Sequence, residues 1–279
     1  VGMGNLIRVC RDSPYNVCPG LATSWEASSD FKTWTFTVRD DLVWHDGVAF
    51  TAQTAAEALG LIVFGYKERG PHRSGGTWGA IEKIEAPGNK VAITLKDGVP
   101  GYLSLLSRSE QYFGYPPHLF KPAVDAGNTK ATPLEFGVVG IGPFKLKETI
   151  KGSLISVRSF DKYWEKDDVG RQLPFMDGID FVIMGRERDK IAAALRGGRI
   201  DGGGRGAGTE MLPPQIKVLK KELGDKVYFI GDPAGTNGMR MNSINDGPMK
   251  DVRVRKAVSM VYDRQGFQDI FYPAFGPRP

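Results

Sequence analysis

Histidine and cysteine are scarce, and long apolar runs are missing. Only His45, His72 and His118, with Cys10 and Cys18, occur in 279 residues. So few imidazoles leave a serine or cysteine triad few possible bases. No histidine lies at metal-ligand spacing from the cysteines, so no zinc motif and no cofactor are expected. Cys10 and Cys18 either close a short disulfide loop, which an oxidising compartment permits, or stand as two free thiols near the terminus. Both readings stay open at this level. No 18-residue apolar run occurs, so no segment reads as a membrane-spanning helix. Val1 to Asp12 lacks the charged start and apolar core of a signal peptide, and there is no initiator Met. The terminus is therefore expected to be processed or truncated. Blocks of one charge are also missing. Lys and Arg (37) exceed Asp and Glu (32) by a net +5 that is scattered along the chain. Nucleic-acid binding needs a concentrated positive patch, so no nucleic-acid partner is expected. The mild basicity serves solubility.

What is present is ordinary for a soluble globular chain: 41% hydrophobic and 25% charged residues, with 36 Gly and 18 Pro. Trp34 to Val38 alternates large apolar with small polar residues and predicts a half-buried strand. Asp46-Gly47 predicts a turn. Thr51 predicts the cap of an Ala-rich helix reaching about Phe64. Residues 65–79 read as a loop. Val91, Ile93 and Leu95 alternate as a second strand. A short helix is expected near Pro117–Ala126, and strands at Phe144–Glu148, Leu154–Arg158 and Ile179–Met184. Arg188–Arg196 predicts a short helix ended by Gly197-Gly198. Strands are expected at Val227–Ile230 and Gly238–Asn242. Asp251 should cap a final helix with Val254, Val258 and Val261 on one stripe. The order of elements predicts an α/β chain with mixed sheets and two subdomains.

Catalytic patterns fail one by one. Gly202 to Gly208 follows what reads as a short strand, but no Gly-Lys-Ser/Thr ending follows it, and Pro213-Pro214 interrupts the next segment. Glycine there suits close approach of backbone to a ligand. Arg73-Ser74-Gly75-Gly76 lacks the nucleophile elbow. His45, in Trp44-His45-Asp46-Gly47, has the ordinary reading of a turn residue. A glycosidase carboxylate pair is a spatial property that sequence does not mark. Trp78, in a Gly-rich stretch, is the tryptophan placed nearest a ligand, although core packing competes for every aromatic.

Six segments carry a resemblance. Pro19-Gly20-Leu21-Ala22-Thr23-Ser24-Trp25-Glu26 is one. Thr33–Arg39 with Val43-Trp44-His45-Asp46-Gly47-Val48-Ala49-Phe50-Thr51-Ala52 is another, with Ala49 where proline is usual. Gly140-Ile141-Gly142-Pro143-Phe144-Lys145-Leu146 and Asp161-Lys162-Tyr163-Trp164 follow. Ala194 to Asp201 comes next, and last Met241-Asn242 with Asp251 to Ala257. In this order they resemble the family 5 extracytoplasmic solute-binding proteins, the peptide and nickel receptors of ABC importers. The resemblance implies a periplasmic-binding-protein type II-like fold. Residues 1–135 would form the accessory subdomain of one lobe and 136–279 most of that lobe, the second lobe lying beyond the chain. It implies a non-enzymatic receptor, periplasmic or otherwise extracytoplasmic and lipid-anchored or membrane-associated. That receptor would be monomeric at full length, bind oligopeptides or a similar small polar solute and deliver it to ABC permease subunits. The cleft wall would include Ile141, Gly142, Gly203, Asn237 and Asn242. Arg240 or Arg205 would pair a ligand carboxylate, and Arg108 and Trp78 would approach the cleft. A secreted hydrolase of polymers and a sensory or chaperone-like module are the rival readings. A lone lobe should expose apolar surface.

Overall fold

The computed structural model describes residues 4–10, 13, 16–71, 77–108, 113–185, 187–203, 211–229 and 241–271, without the side chains of 108, 213 and 268–271. They fall into two compact units, Val1–Ile183 and Met184–Pro279.

The first unit is built on a four-stranded sheet in the order β3-β4-β6-β5, from β3 (Ala22–Ala27), β4 (Thr33–Val38), β5 (Ile81–Glu85) and β6 (Lys90–Leu95). The alternation expected of two of these strands is seen. Trp34, Phe36 and Val38 of β4 are buried, as are Val91, Ile93 and Leu95 of β6, with Trp34 opposite Ile93 and Phe36 opposite Val91. Period-two patterning puts all six on one face, where they form a single core. Helix α1 (Ala52–Val63) packs on that sheet. It forms because Thr51 and Thr54 make a reciprocal capping box and alanine has the best helix propensity. Its Ala55, Ala58, Leu59 and Ile62 are buried, and the small residues permit close approach.

Two further sheets belong to this unit. One pairs β1 (Ile7–Val9) with β2 (Val17–Pro19), and the other has the order β7-β8-β9 from Phe144–Ile150, Leu154–Ser159 and Gly178–Val182. Every strand pair among the described residues is antiparallel. A disulfide joins Cys10 to Cys18, with Cα atoms 5.1 Å apart, beside the short β1–β2 ladder. Of the two sequence readings, the disulfide loop is the one seen. Gly20 follows β2 where a Cβ would lie 2.3 Å from the Asn5 carbonyl oxygen, so only glycine fits. Helices α2 (Tyr102–Arg108) and α3 (Pro117–Asp125) complete the unit, and α3 brings Phe120 into a small second cluster with Leu61, Ile62 and Tyr115. β1, β2, β3, β5 and α2 carry no strong periodic signal in the sequence.

In the second unit, α4 (Arg188–Arg196) packs against α5 (Pro213–Leu223). Pro213-Pro214 opens α5 instead of interrupting it, because proline at the first helical turn lacks only an N–H that has no partner there. No strand directly precedes Gly202: Gly197-Gly198 is a turn, and Arg199 and Asp201 are bends flanking an irregular Ile200. Nor do Val227–Phe229 form the expected strand. They follow a short 3-10 turn at Gly224–Lys226, pair with no strand among the described residues, and Tyr228 is 82% exposed. Met241 and Asn242 are likewise irregular, while residues 230 and 238–240 lie outside the described set. α6 (Val252–Val261) is capped by the Asp251 carboxylate accepting from the Arg253 N–H, as expected. Val254 and Val258 are half-buried, but Val261 is 85% exposed, so the stripe is covered at one end only. A further helix, α7 (Arg264–Phe271), follows it.

Candidate ligand-binding segments

The Trp44–Gly47 turn is closed by the Gly47 N–H donating to the Trp44 carbonyl, with Gly47 at φ +90°. Asp46 Oδ1 accepts from the Val48 N–H. Trp44 is wholly buried against Phe50 and the edge of His118, and its Nε1 has no hydrogen-bond partner among the described residues. His118 Nε2 lies 2.8 Å from Asp46 Oδ2, which ties α3 to the turn.

His45 reaches across 95 residues to the Gly140–Gly142 turn. Its backbone N–H donates to the Gly140 carbonyl at 2.9 Å. Its Nδ1 accepts from the Gly140 N–H at 3.2 Å, and its Nε2 lies 2.9 Å from the Gly142 carbonyl. The ring sits edge-on to Phe160 at 4.9 Å. Burial, with help from Lys145, pushes the imidazole below its ordinary value, against the pull of the Gly142 and Val138 backbones and of Asp46. The histidine that reads as an ordinary turn residue is thus a clamp between two signature segments. Spacing gives no sign of it, because its partner is so distant in the chain.

A second junction joins two more of these segments. The Arg39 guanidinium stacks on Trp164 at 4.2 Å and its Nε donates to the Gly20 carbonyl. Arg8 lies 6.0 Å from the Trp164 ring and pairs at 2.8 Å with the buried Glu165, which also accepts from the Tyr163 hydroxyl. The hydrogen bond to Glu165 raises the Arg8 pKa. These motifs hold one another in place.

The expected ligand residues are placed as follows. Ile141 is 2% exposed and lies in the main core with Trp78, at 5%. Gly142 is buried beside them and presents its carbonyl to His45. Arg108 ends α2, its side chain outside the described set. In the second unit Gly203 is exposed, and a Cβ there would come within 3.6–3.9 Å of Ile191, Met211 and Leu195. Asn242 is exposed, and its Oδ1 accepts from the Ile244 and Asn245 N–H groups in a local turn. Arg205, Asn237 and Arg240 lie outside the described residues. Among the described residues no group of three or more His, Cys, Asp or Glu side chains is placed to hold a metal ion, and no helix is long and apolar enough to cross a membrane.

Comparison with known proteins agrees with this arrangement. The model of the family described as bacterial extracellular solute-binding proteins, family 5, middle region, matches residues 16–278. The dipeptide-binding protein of Escherichia coli is 26% identical over 276 residues, covering 93% of this chain and 48% of the relative. The periplasmic oligopeptide-binding protein OppA of Haemophilus influenzae is 28% identical, covering 94% and 48%. The chain therefore spans about half the length of these curated relatives. Among solved structures, NikA of Brucella suis in complex with Fe(III)-EDTA superposes with a TM-score of 0.69 at 24% identity, over 96% of this chain and 50% of that one, a likeness of fold. With four of its signature segments clamped to one another in the first unit and the family model matching almost its whole length, the chain belongs to the bacterial extracellular solute-binding proteins of family 5.

Proposed function

We propose that the protein is the ligand-capturing receptor of an ABC import system and binds oligopeptides or a similar small polar solute. The observation that carries this is the family match across residues 16–278. Relatives named for dipeptides, oligopeptides and nickel support a receptor over a hydrolase, and those named for peptides are the more numerous. No covalent step is required. A solute is held by a few placed polar groups and enclosed by hinge closure, and the closed form docks on the permease.

In this reading residues 1–135 are an accessory subdomain and 136–279 the main part of one lobe, and the full-length receptor works as a monomer outside the cytoplasm. The side-chain amide of Asn242 donates to a peptide carbonyl. Arg240 or Arg205 pairs a carboxylate. Asn237 and the backbone at Gly203 and Gly142 line the ligand, with Arg108 at its margin, while Ile141 and Trp78 support the wall from within. Isothermal titration of the chain, and of any longer polypeptide carrying it, against di-, tri- and oligopeptide libraries tests the proposal. Binding heat supports it. Heat with nickel salts or nickel chelates alone would replace the peptide with a metal complex, and hydrolysis of a peptide or glycan would replace the receptor with an enzyme.

A further inference from the structure

We propose that His45 is a positioning residue whose neutral ring fixes the Gly140–Gly142 turn, so that ligand capture weakens reversibly in acid. This rests on the receptor reading above and on that turn bordering the ligand. The polarity of the hydrogen bonds assigns the tautomer. The Gly140 N–H can only donate, so Nδ1 must offer a lone pair, and the single ring proton must sit on Nε2 and go to the Gly142 carbonyl. Both nitrogens are therefore committed, with opposite polarity, to one three-residue turn. Neither Gly140 nor Gly142 has a side chain with which to anchor itself, and Ile141 holds only its own position in the core.

A second proton has one place to go, Nδ1. There it would face the Gly140 N–H donor to donor, and that bond is lost, while the Val138 backbone offers the charged ring a replacement partner. The surroundings also oppose the charge. The ring is largely buried against Phe160. Lys145 of β7 adds a like charge nearby, its ammonium 6.0 Å from the same Phe160 ring. Three groups favour the imidazolium: the Gly142 and Val138 backbones, and Asp46, whose carboxylate is engaged by His118 of α3. Folded His45 thus holds its proton less tightly than the ordinary value of 6.5. With a depressed folded value, the clamp's stabilisation is complete above the unfolded value near 6.5 and is lost as pH falls below it through the folded value.

The test has two arms. Nuclear magnetic resonance of the histidine nitrogens should show the Nε2–H tautomer at about pH 7.5, above the ordinary imidazole value. Amide-exchange protection at Gly140 should then fall about tenfold, the equivalent of one to two net hydrogen bonds, on acidification through the His45 titration, while Phe36 and Ile93 keep theirs. His45→Gln supplies an acceptor and a donor that do not titrate, so the acid step at Gly140 should vanish. His45→Ala should lose protection at every pH. An Nδ1–H tautomer, a Gly140 amide indifferent to His45 protonation, or an unaltered acid step in His45→Gln would overturn the proposal. The second arm is calorimetry with an equimolar dipeptide library, where affinity should fall in step with His45 protonation in the native protein and not in His45→Gln. Peptide binding that follows no such step would also overturn it. Absence of heat at every pH would fail the receptor reading instead, and the first arm would still decide the clamp.

Discussion

Phe36 is wholly buried on an inner strand of the four-stranded sheet, opposite Val91 and within the main core. Replacing it with Ala removes the ring and leaves a cavity that a sheet pinned on both sides cannot close. Phe36→Ala should lower unfolding free energy by about 3–5 kcal/mol in a urea titration. Gly20 presents the opposite problem, a lack of space. Gly20→Ala drives a methyl into the Asn5 carbonyl, so a loss of about 1–3 kcal/mol is expected by the same measurement. The two residues also differ in how readable they are from sequence. Phe36 belongs to an alternating run that declares its face. Gly20 stands in a signature segment, but the reason for it, the carbonyl of distant Asn5, is a tertiary fact. His45 is of the second kind as well.

At the level of elements, those with a strong internal period or cap are legible. α1 is the clearest. Thr51→Ala removes the side-chain half of its capping box and should cost about 1 kcal/mol, read as a lower melting midpoint. α5 escapes a sequence reading because Pro213-Pro214 looks like a breaker and not like a first turn, and β5 because Ile81–Glu85 reads Ile-Glu-Lys-Ile-Glu, which lacks strict alternation. β9 is instructive for a different reason. Among the described residues it is an edge strand paired only with β8, and Phe181, Val182 and the adjoining Ile183 are between 42% and 52% exposed. Its one charge, Asp180, is paired with Arg158, and an edge with this much exposed apolar surface invites pairing with another chain. The 279-residue chain should sediment as a concentration-dependent mixture, and Phe181→Lys should shift it towards monomer. A sharp monomer boundary at high concentration without that substitution would sink the expectation.

For the molecule as a whole, the scaffold is far more legible than the binding surface. Four of the six signature segments clamp one another, through His45 on the Gly140–Gly142 turn and through Arg39 on Trp164 and Gly20, and packing of this kind leaves recurring patterns in sequence. Ligand contacts leave none, because an exposed polar residue obeys no period. The disulfide is a further whole-chain matter. Closing an eight-residue separation should contribute about 2–3 kcal/mol through the unfolded chain, and paired Cys10→Ser and Cys18→Ser substitutions should lower stability by that much. The bond has one more consequence. Cys10 and Cys18 are the chain's two cysteines, and both are consumed in it. A cysteine introduced at any other position would be the molecule's single reactive sulfur, so a fluorophore could be attached at one chosen point and its emission followed as solute is added.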